Sequence, residues 1–291
     1  MKVSDQIHSD VQAELDTKLA GLSWVGMGQI QSALNMSEFN IPCLLDIGVN
    51  LLSGHRGIHM SRLYQAHLDC FLQQKINFTQ MNSFLSAALK SQGEISSEIA
   101  AKINLQFPMK TTSLKSNLTG YRNYPLQIIC EKNKISDDET NRIWLQFEIL
   151  YSSTCPQSAS LSIEVLKTLK SIPERLPATP HAQRSKAIIR VQVLDFTESI
   201  IQNLIKSIET TLQTPVQTIV KKVDEMEFAK LNAQNLMFCE DAARLVAKKL
   251  SHDESVVGFS IFCEHQESLH PHNASSLIMR NFIAPTRLNF I

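Results

Sequence analysis

No apolar run in this chain approaches the ~20 residues that a membrane-crossing helix requires, so no such segment is predicted. The opening residues, MKVSDQIHSDVQAELD, lack an apolar core and carry acids, which excludes a secretory signal at this point. Six cysteines are scattered without a CxxC pair or a framework spacing. That excludes a disulfide scaffold and points to reduced thiols in a cytoplasmic protein. Charge of one sign is missing too: 28 Lys and Arg balance 28 Asp and Glu. A net charge of zero argues against a dedicated nucleic-acid binder and against an acidic tail. What remains, 43% hydrophobic and 19% charged residues, is the composition of an ordinary globular protein.

At 291 residues the chain is long for one domain and comfortable for two of about 150. Residues 1–38 are polar with weak periodicity and read as a mobile or loosely packed arm. Ile41 to Leu52 is a strand candidate. Helical spacing follows from a cap at Ser61, again from Thr79 to Lys90, and again from Ser96 to Ile103. Strand-like pieces near residues 104–118 and 126–132 precede a polar loop at 133–141. Arg142 to Tyr151 (RIWLQFEILY) alternates most clearly, with Ile143, Leu145, Phe147, Ile149 and Tyr151 on one face. Ser158 to Ile172 reads as helix, Ala187 to Leu194 as strand, and Glu198 to Leu212 and Phe238 to Leu250 as amphipathic helices. Strands at Val256 to Glu264 and Ser275 to Ile283 close the chain. Strands paired beside layered helices predict an α+β fold, an antiparallel sheet with helices on one face. The predicted division is an arm at 1–38, a first module at 39–141 and a second at 142–291.

The residues able to do chemistry concentrate in the second half. Glu267-Ser268-Leu269-His270-Pro271-His272 puts a carboxylate and two imidazoles within six residues. In extended backbone His270 and His272 face the same side, with Pro271 fixing φ between them. A polar turn after a strand is the plainer reading of such a pair. Upstream stand Cys155 in TCPQS, His181 in TPHAQRS, Asp224 and Glu225 in KKVDE, and Glu240 and Asp241 in FCED. Taken singly, each has an ordinary explanation: a small buried thiol, a loop histidine, a solvated charge run, acids favoured by a helix N-terminus. Together they supply what a metal-assisted hydrolase acting on a heterocycle needs.

In this order and at about these spacings, HMSR, STCP, HAQRS, FCED and ESLHPHNA resemble the type IB GTP cyclohydrolase I family, a prokaryotic branch of the tunnelling-fold enzymes. The resemblance runs from about Val25 to the C-terminus. It implies the tunnelling fold as two tandem β-β-α-α-β-β modules, assembled as a homo-oligomer, a tetramer, with active sites at subunit interfaces. The implied reaction converts GTP to 7,8-dihydroneopterin triphosphate and formate, opening tetrahydrofolate synthesis. It also implies a divalent metal (zinc, manganese or iron) held by Cys155, His181 and Glu225. Cys155, Glu267, His270 and His272 become the implied catalytic residues, and Glu240 the carboxylate that accepts from the guanine ring N–H and amine. Arg184, with Arg62 and His59 of HMSR, would hold the substrate. One departure stands out: the family's usual Cys-Pro-Cys is Cys155-Pro156-Gln157 here. Two alternatives therefore stay open, a 7-cyano-7-deazaguanine reductase-like enzyme and a paralogue that binds guanine nucleotide with impaired catalysis.

Overall fold

The computed structural model describes residues 14–36, 38–71, 75–135, 138–171 and 173–287. Eight strands are hydrogen-bonded in chain order, β1 (Leu22–Met36), β2 (Phe39–Leu51), β3 (Glu98–Thr112), β4 (Thr119–Ile135), β5 (Asp138–Thr154), β6 (Ala182–Val193), β7 (Val256–His265) and β8 (Ala274–Arg280). Pairing is antiparallel in the registers β1/β2, β6/β7 and β7/β8. Among the described residues six α-helices accompany them: α1 (Met60–Phe71), α2 (Phe78–Ser91), α3 (Pro156–Lys167), α4 (Glu198–Leu212), α5 (Lys222–Gln234) and α6 (Cys239–Leu250). No helix among the described residues is long and apolar enough to cross a membrane. All six cysteines are unpaired.

The chain divides into two compact units. One comprises Met1–Asn104, Ile129–Ile143 and Pro285–Ile291, the other Leu105–Ile128 and Trp144–Ala284. In the first unit, β1 and β2 approach so closely at Gly26 and Gly48 that a Cβ on Gly26 would sit 2.2 Å from the Ile47 carbonyl oxygen. Only glycine fits there. A bulge follows, where Gln29 takes φ 58° and its N–H donates to Asp46 Oδ1 at 2.7 Å. Helices α1 and α2 bury Leu63, Phe71, Met81, Phe84 and Leu85. Asn77 caps α2 through its side-chain oxygen. In the same unit Glu131 accepts from the backbone N–H groups of Thr286 and Arg287, at 2.6 and 3.1 Å, pinning the chain's last described turn.

In the second unit the buried side chains of β5, β6 and β7 alternate with half-buried ones. Phe147, Ile149 and Tyr151 match Ile189, Val191, Phe259 and Ile261 in burial. Helix α4 buries Ile201, Leu204, Ile205, Ile208 and Leu212, and α6 buries Ala242, Ala243, Val246 and Leu250. Burying each such aliphatic side chain is worth about 1.5–3 kcal/mol, so this stripe holds both helices to their unit.

Two expectations are corrected, and one helix is new. Ser96 to Ile103 is not a helix: it opens β3, because Ile99, Ala100, Ala101, Lys102 and Ile103 are all buried, and a continuous buried run carries no period that separates helix from strand. Residues 22–36 of the expected arm form β1, held by its ladder with β2 and not by a strong apolar pattern of its own; residues 1–13 of that arm lie outside the described residues. Helix α5 was not expected from periodicity, because its one fully buried residue is an acid, Asp224.

Candidate active site

The end of β5 delivers Ser152, Ser153, Thr154 and Cys155 in succession. Cys155 is the N-cap of α3: its Sγ accepts the Ser158 N–H at 3.5 Å, and Pro156 at the first helical position needs no donor partner. The start of β6 is stitched to this cap. The Cys155 N–H donates to the His181 carbonyl at 3.2 Å, and the His181 N–H donates to Ser158 Oγ at 3.2 Å. A thiol and an imidazole far apart in the chain therefore share one corner. On the His181 ring, Nδ1 faces two oxygens, Gln183 Oε1 at 3.1 Å and Glu267 Oε2 at 3.3 Å. Gln183 Nε2 donates onward to Ser153 Oγ at 2.8 Å, and Ser153 Oγ lies 2.8 Å from Ser185 Oγ.

Glu225 comes from the first turn of α5, whose N-terminus is fixed by Asp224. The fully buried Asp224 carboxylate accepts from Lys115 N at 2.7 Å, Ser116 N at 2.9 Å, Ser116 Oγ at 2.5 Å and Lys221 N at 2.8 Å. Burial pushes its pKa up, but the Ser116 hydroxyl and three backbone N–H groups outweigh burial and hold it well below the usual carboxylate range. The expected solvated charge run is instead a buried clamp at Asp224, with Glu225 beside it. Glu225 and Arg184 line one cavity of about 480 Å³ together with Tyr151, Val216 and Phe228.

Glu240 is exposed in the first turn of α6, and its neighbour Cys239 is buried. The Glu240 pKa is lowered, first by its own backbone N–H and then by the Cys239 thiol, which donates to Oε2 at 3.3 Å. Burial raises the Cys239 pKa and keeps the thiol a donor. Beneath them Tyr151 Oη lies 3.0 Å from His265 Nε2. Burial drives the His265 pKa down to about 4, against the pull of Glu240 and Asp241. His270 and His272 are exposed, their rings stacked at 5.0 Å with an 11° interplanar angle.

The predicted residues are thus gathered in part. The backbones of Cys155 and His181 meet, and the His181 ring meets Glu267; Glu225 and Arg184 meet at a cavity; His270 and His272 meet each other. Gln157 is exposed in the first turn of α3. His59 and Arg62 belong to the first unit, where the His59 N–H donates to Gln92 Oε1 and Arg62 Nη1 to the Ser91 carbonyl. Among the described residues no three His, Cys, Asp or Glu side chains gather closely enough to hold a metal. Cys155 and His181 do fit two positions of such a site: one thiol, one imidazole whose Nδ1 is already engaged. Thr154 Oγ1 at the end of β5 and Glu267 Oε2 in the segment after β7 are buried without a hydrogen-bond partner, polar atoms suited to ordered water. Sequence reasoning missed Gln183, Ser153 and Ser185. The strand alternation His181, Gln183, Ser185 was the available signal.

These elements define an α+β protein of the tunnelling-fold class. A crystal structure of a highly active BTUO mutant superposes with TM-score 0.50 at 8% identity, covering 88% of this chain and 99% of that one. In sequence, a family model for type I GTP cyclohydrolase folE2 matches residues 9–276. The GTP cyclohydrolase FolE2 of Klebsiella pneumoniae is 38% identical, with 88% of this chain and 92% of that protein covered. That of Bdellovibrio bacteriovorus is 33% identical over 96% of this chain and 95% of its own length. The chain belongs to the type I GTP cyclohydrolase folE2 family, and it is a GTP cyclohydrolase.

Proposed function

We propose that this chain is a type IB GTP cyclohydrolase I of the cytoplasm that opens tetrahydrofolate synthesis by converting GTP to 7,8-dihydroneopterin triphosphate and formate. The observation that carries the reading is the Cys155–His181 stitch, 3.2 Å from backbone N–H to carbonyl, with a carboxylate behind the imidazole. Cys155, His181 and Glu225 would hold a divalent cation (zinc, manganese or iron), a donor set mixing thiolate, imidazole and carboxylate. Such a cation acidifies a water to about neutrality, which is the chemistry that attack on C8 of guanine needs.

The protein's own groups do the rest. The Glu240 carboxylate, ionised at neutral pH, accepts from the guanine N1–H and its exocyclic amine, a pairing that adenine lacks. Arg184 on the Glu225 cavity offers its guanidinium to the triphosphate. Ring opening and formate loss each require a proton to move at a ring nitrogen, and Glu267, His270 and His272 carry that work. The second module, 142–291, brings most of these groups, and the first, 39–141, repeats its architecture in tandem. A homotetramer with sites at its interfaces would cover Leu277 and Met279 of β8, which are 58% and 59% exposed.

The deciding experiment is an anaerobic assay of metal-stripped protein with GTP. Metals are added singly, and formate and pterin fluorescence after oxidation are followed. Formate release restored by a divalent cation is expected. Nicotinamide-dependent reduction of a nitrile without formate, or GTP binding without turnover in any metal, would overturn the reading.

A further inference from the structure

One side of the His181 ring is fully committed. Nδ1 faces Gln183 Oε1 at 3.1 Å and Glu267 Oε2 at 3.3 Å, and among the described residues Nε2 has no hydrogen-bond partner. Glu267 Oε2 makes no hydrogen bond of its own, but its negative charge at 3.3 Å disfavours a lone pair on Nδ1 and favours an N–H there, donated to Gln183 Oε1. The orientation of the Gln183 amide is set from its other end. Nε2 donates to Ser153 Oγ at 2.8 Å, and Ser153 and Ser185 share a hydroxyl–hydroxyl bond of 2.8 Å. Gln183, Ser153 and Ser185 are all buried, so water does not compete for these bonds. An amide rotated by half a turn would donate to Nδ1 and accept from the Ser153 hydroxyl, which would require a lone pair on Nδ1 facing the Glu267 carboxylate at 3.3 Å. The Glu267 charge favours the arrangement with the proton on Nδ1.

We infer that Gln183 is a positioning residue: anchored by Ser153, it holds His181 in the Nδ1–H tautomer and so presents the Nε2 lone pair to the cation that Cys155 shares. The inference rests on the proposed Cys155–His181 pair. Gln183 touches neither substrate nor cation; it acts through His181. In a neutral imidazole one nitrogen donates and the other accepts, so fixing the donor fixes the ligand atom. Removing an outer partner of this kind ordinarily costs about 10–100-fold in metal affinity.

Two measurements test it. Long-range 1H–15N correlation on the metal-free protein should show His181 as the Nδ1–H tautomer in the wild type and as a mixture in Gln183→Leu. A wild-type His181 protonated on Nε2 would overturn the inference. Competition titration with Co2+ as the probe should show Gln183→Leu weakened about 10–100-fold. Gln183→Glu, which keeps an acceptor facing Nδ1, should return to within a few-fold of wild type. Ser153→Ala, which frees the amide to rotate, should show a smaller loss in the same direction and serves where Gln183→Leu does not fold. Unchanged Co2+ affinity in both Gln183→Leu and Ser153→Ala, or equal loss in Gln183→Glu and Gln183→Leu, would sink the positioning role. Cys155→Ala separates the two readings. If it retains full Co2+ affinity, the metal pair itself is wrong; if it loses the cation while Gln183→Leu does not, only the role of Gln183 fails.

Discussion

Asp224 and Ser116, far apart in the chain, are joined by two hydrogen bonds: the Ser116 N–H to Oδ1 at 2.9 Å and the Ser116 hydroxyl to Oδ2 at 2.5 Å. With Lys115 N and Lys221 N on the same carboxylate, the turn between β3 and β4 is tied to the first turn of α5. Because the folded pKa of Asp224 is depressed, its stabilising contribution is complete above the unfolded value of about 3.9 and is lost as pH falls below it. Asp224→Asn keeps the size but loses acceptors. It should be less stable than wild type at pH 7, and the gap should narrow below about pH 4. Urea denaturation across that range measures both; a gap that does not change with pH would contradict the clamp.

His265 gives the opposite residue type the same sign. Its folded pKa of about 4 lies below the ordinary imidazole value, so the unfolded chain takes up the proton first. Stability from keeping it neutral is present above about pH 6.5 and falls away as pH drops towards 4, by about 3 kcal/mol in all. His265→Gln should therefore lose less stability than wild type between pH 7 and pH 4. Parallel stability curves would show that burial does not keep the His265 ring neutral.

Glu240, whose pKa is lowered by its own backbone N–H and the Cys239 thiol, is the proposed guanine anchor. Glu240→Gln should weaken binding of a non-hydrolysable GTP analogue by about tenfold to a hundredfold, the usual cost of losing a charged hydrogen-bond partner. Calorimetry on metal-loaded protein reads this directly. Unchanged affinity would move the purine anchor elsewhere.

The stacked pair His270 and His272, proposed to move protons, allows proton transfer to be tested apart from binding. His270→Ala should cut turnover by about a hundredfold or more, with metal content and GTP affinity retained. His272→Ala should cost less if its ring only orients its neighbour. A wild-type rate and pH–rate profile in His270→Ala would make this stretch a turn and nothing more.

Local pattern decided much of this molecule. The alternation of Leu145, Phe147, Ile149 and Tyr151 specifies β5, and the spacing of Ile201, Leu204, Ile205 and Ile208 specifies α4, because period and burial coincide there. Short motifs named the chemistry: a thiol after a strand, an imidazole before one, acids opening two helices. Neighbour relations were out of reach of that pattern. That His181 meets Glu267, that Gln183 stands behind it, and that Asp224 is buried against Ser116 depend on which distant backbones are hydrogen-bonded. The buried run of β3 was misread for the same reason, since strand or helix is settled there by the partner strands. Periodicity reports the face a residue presents; only the tertiary structure, through strand register and long-range hydrogen bonds, decides what that face meets.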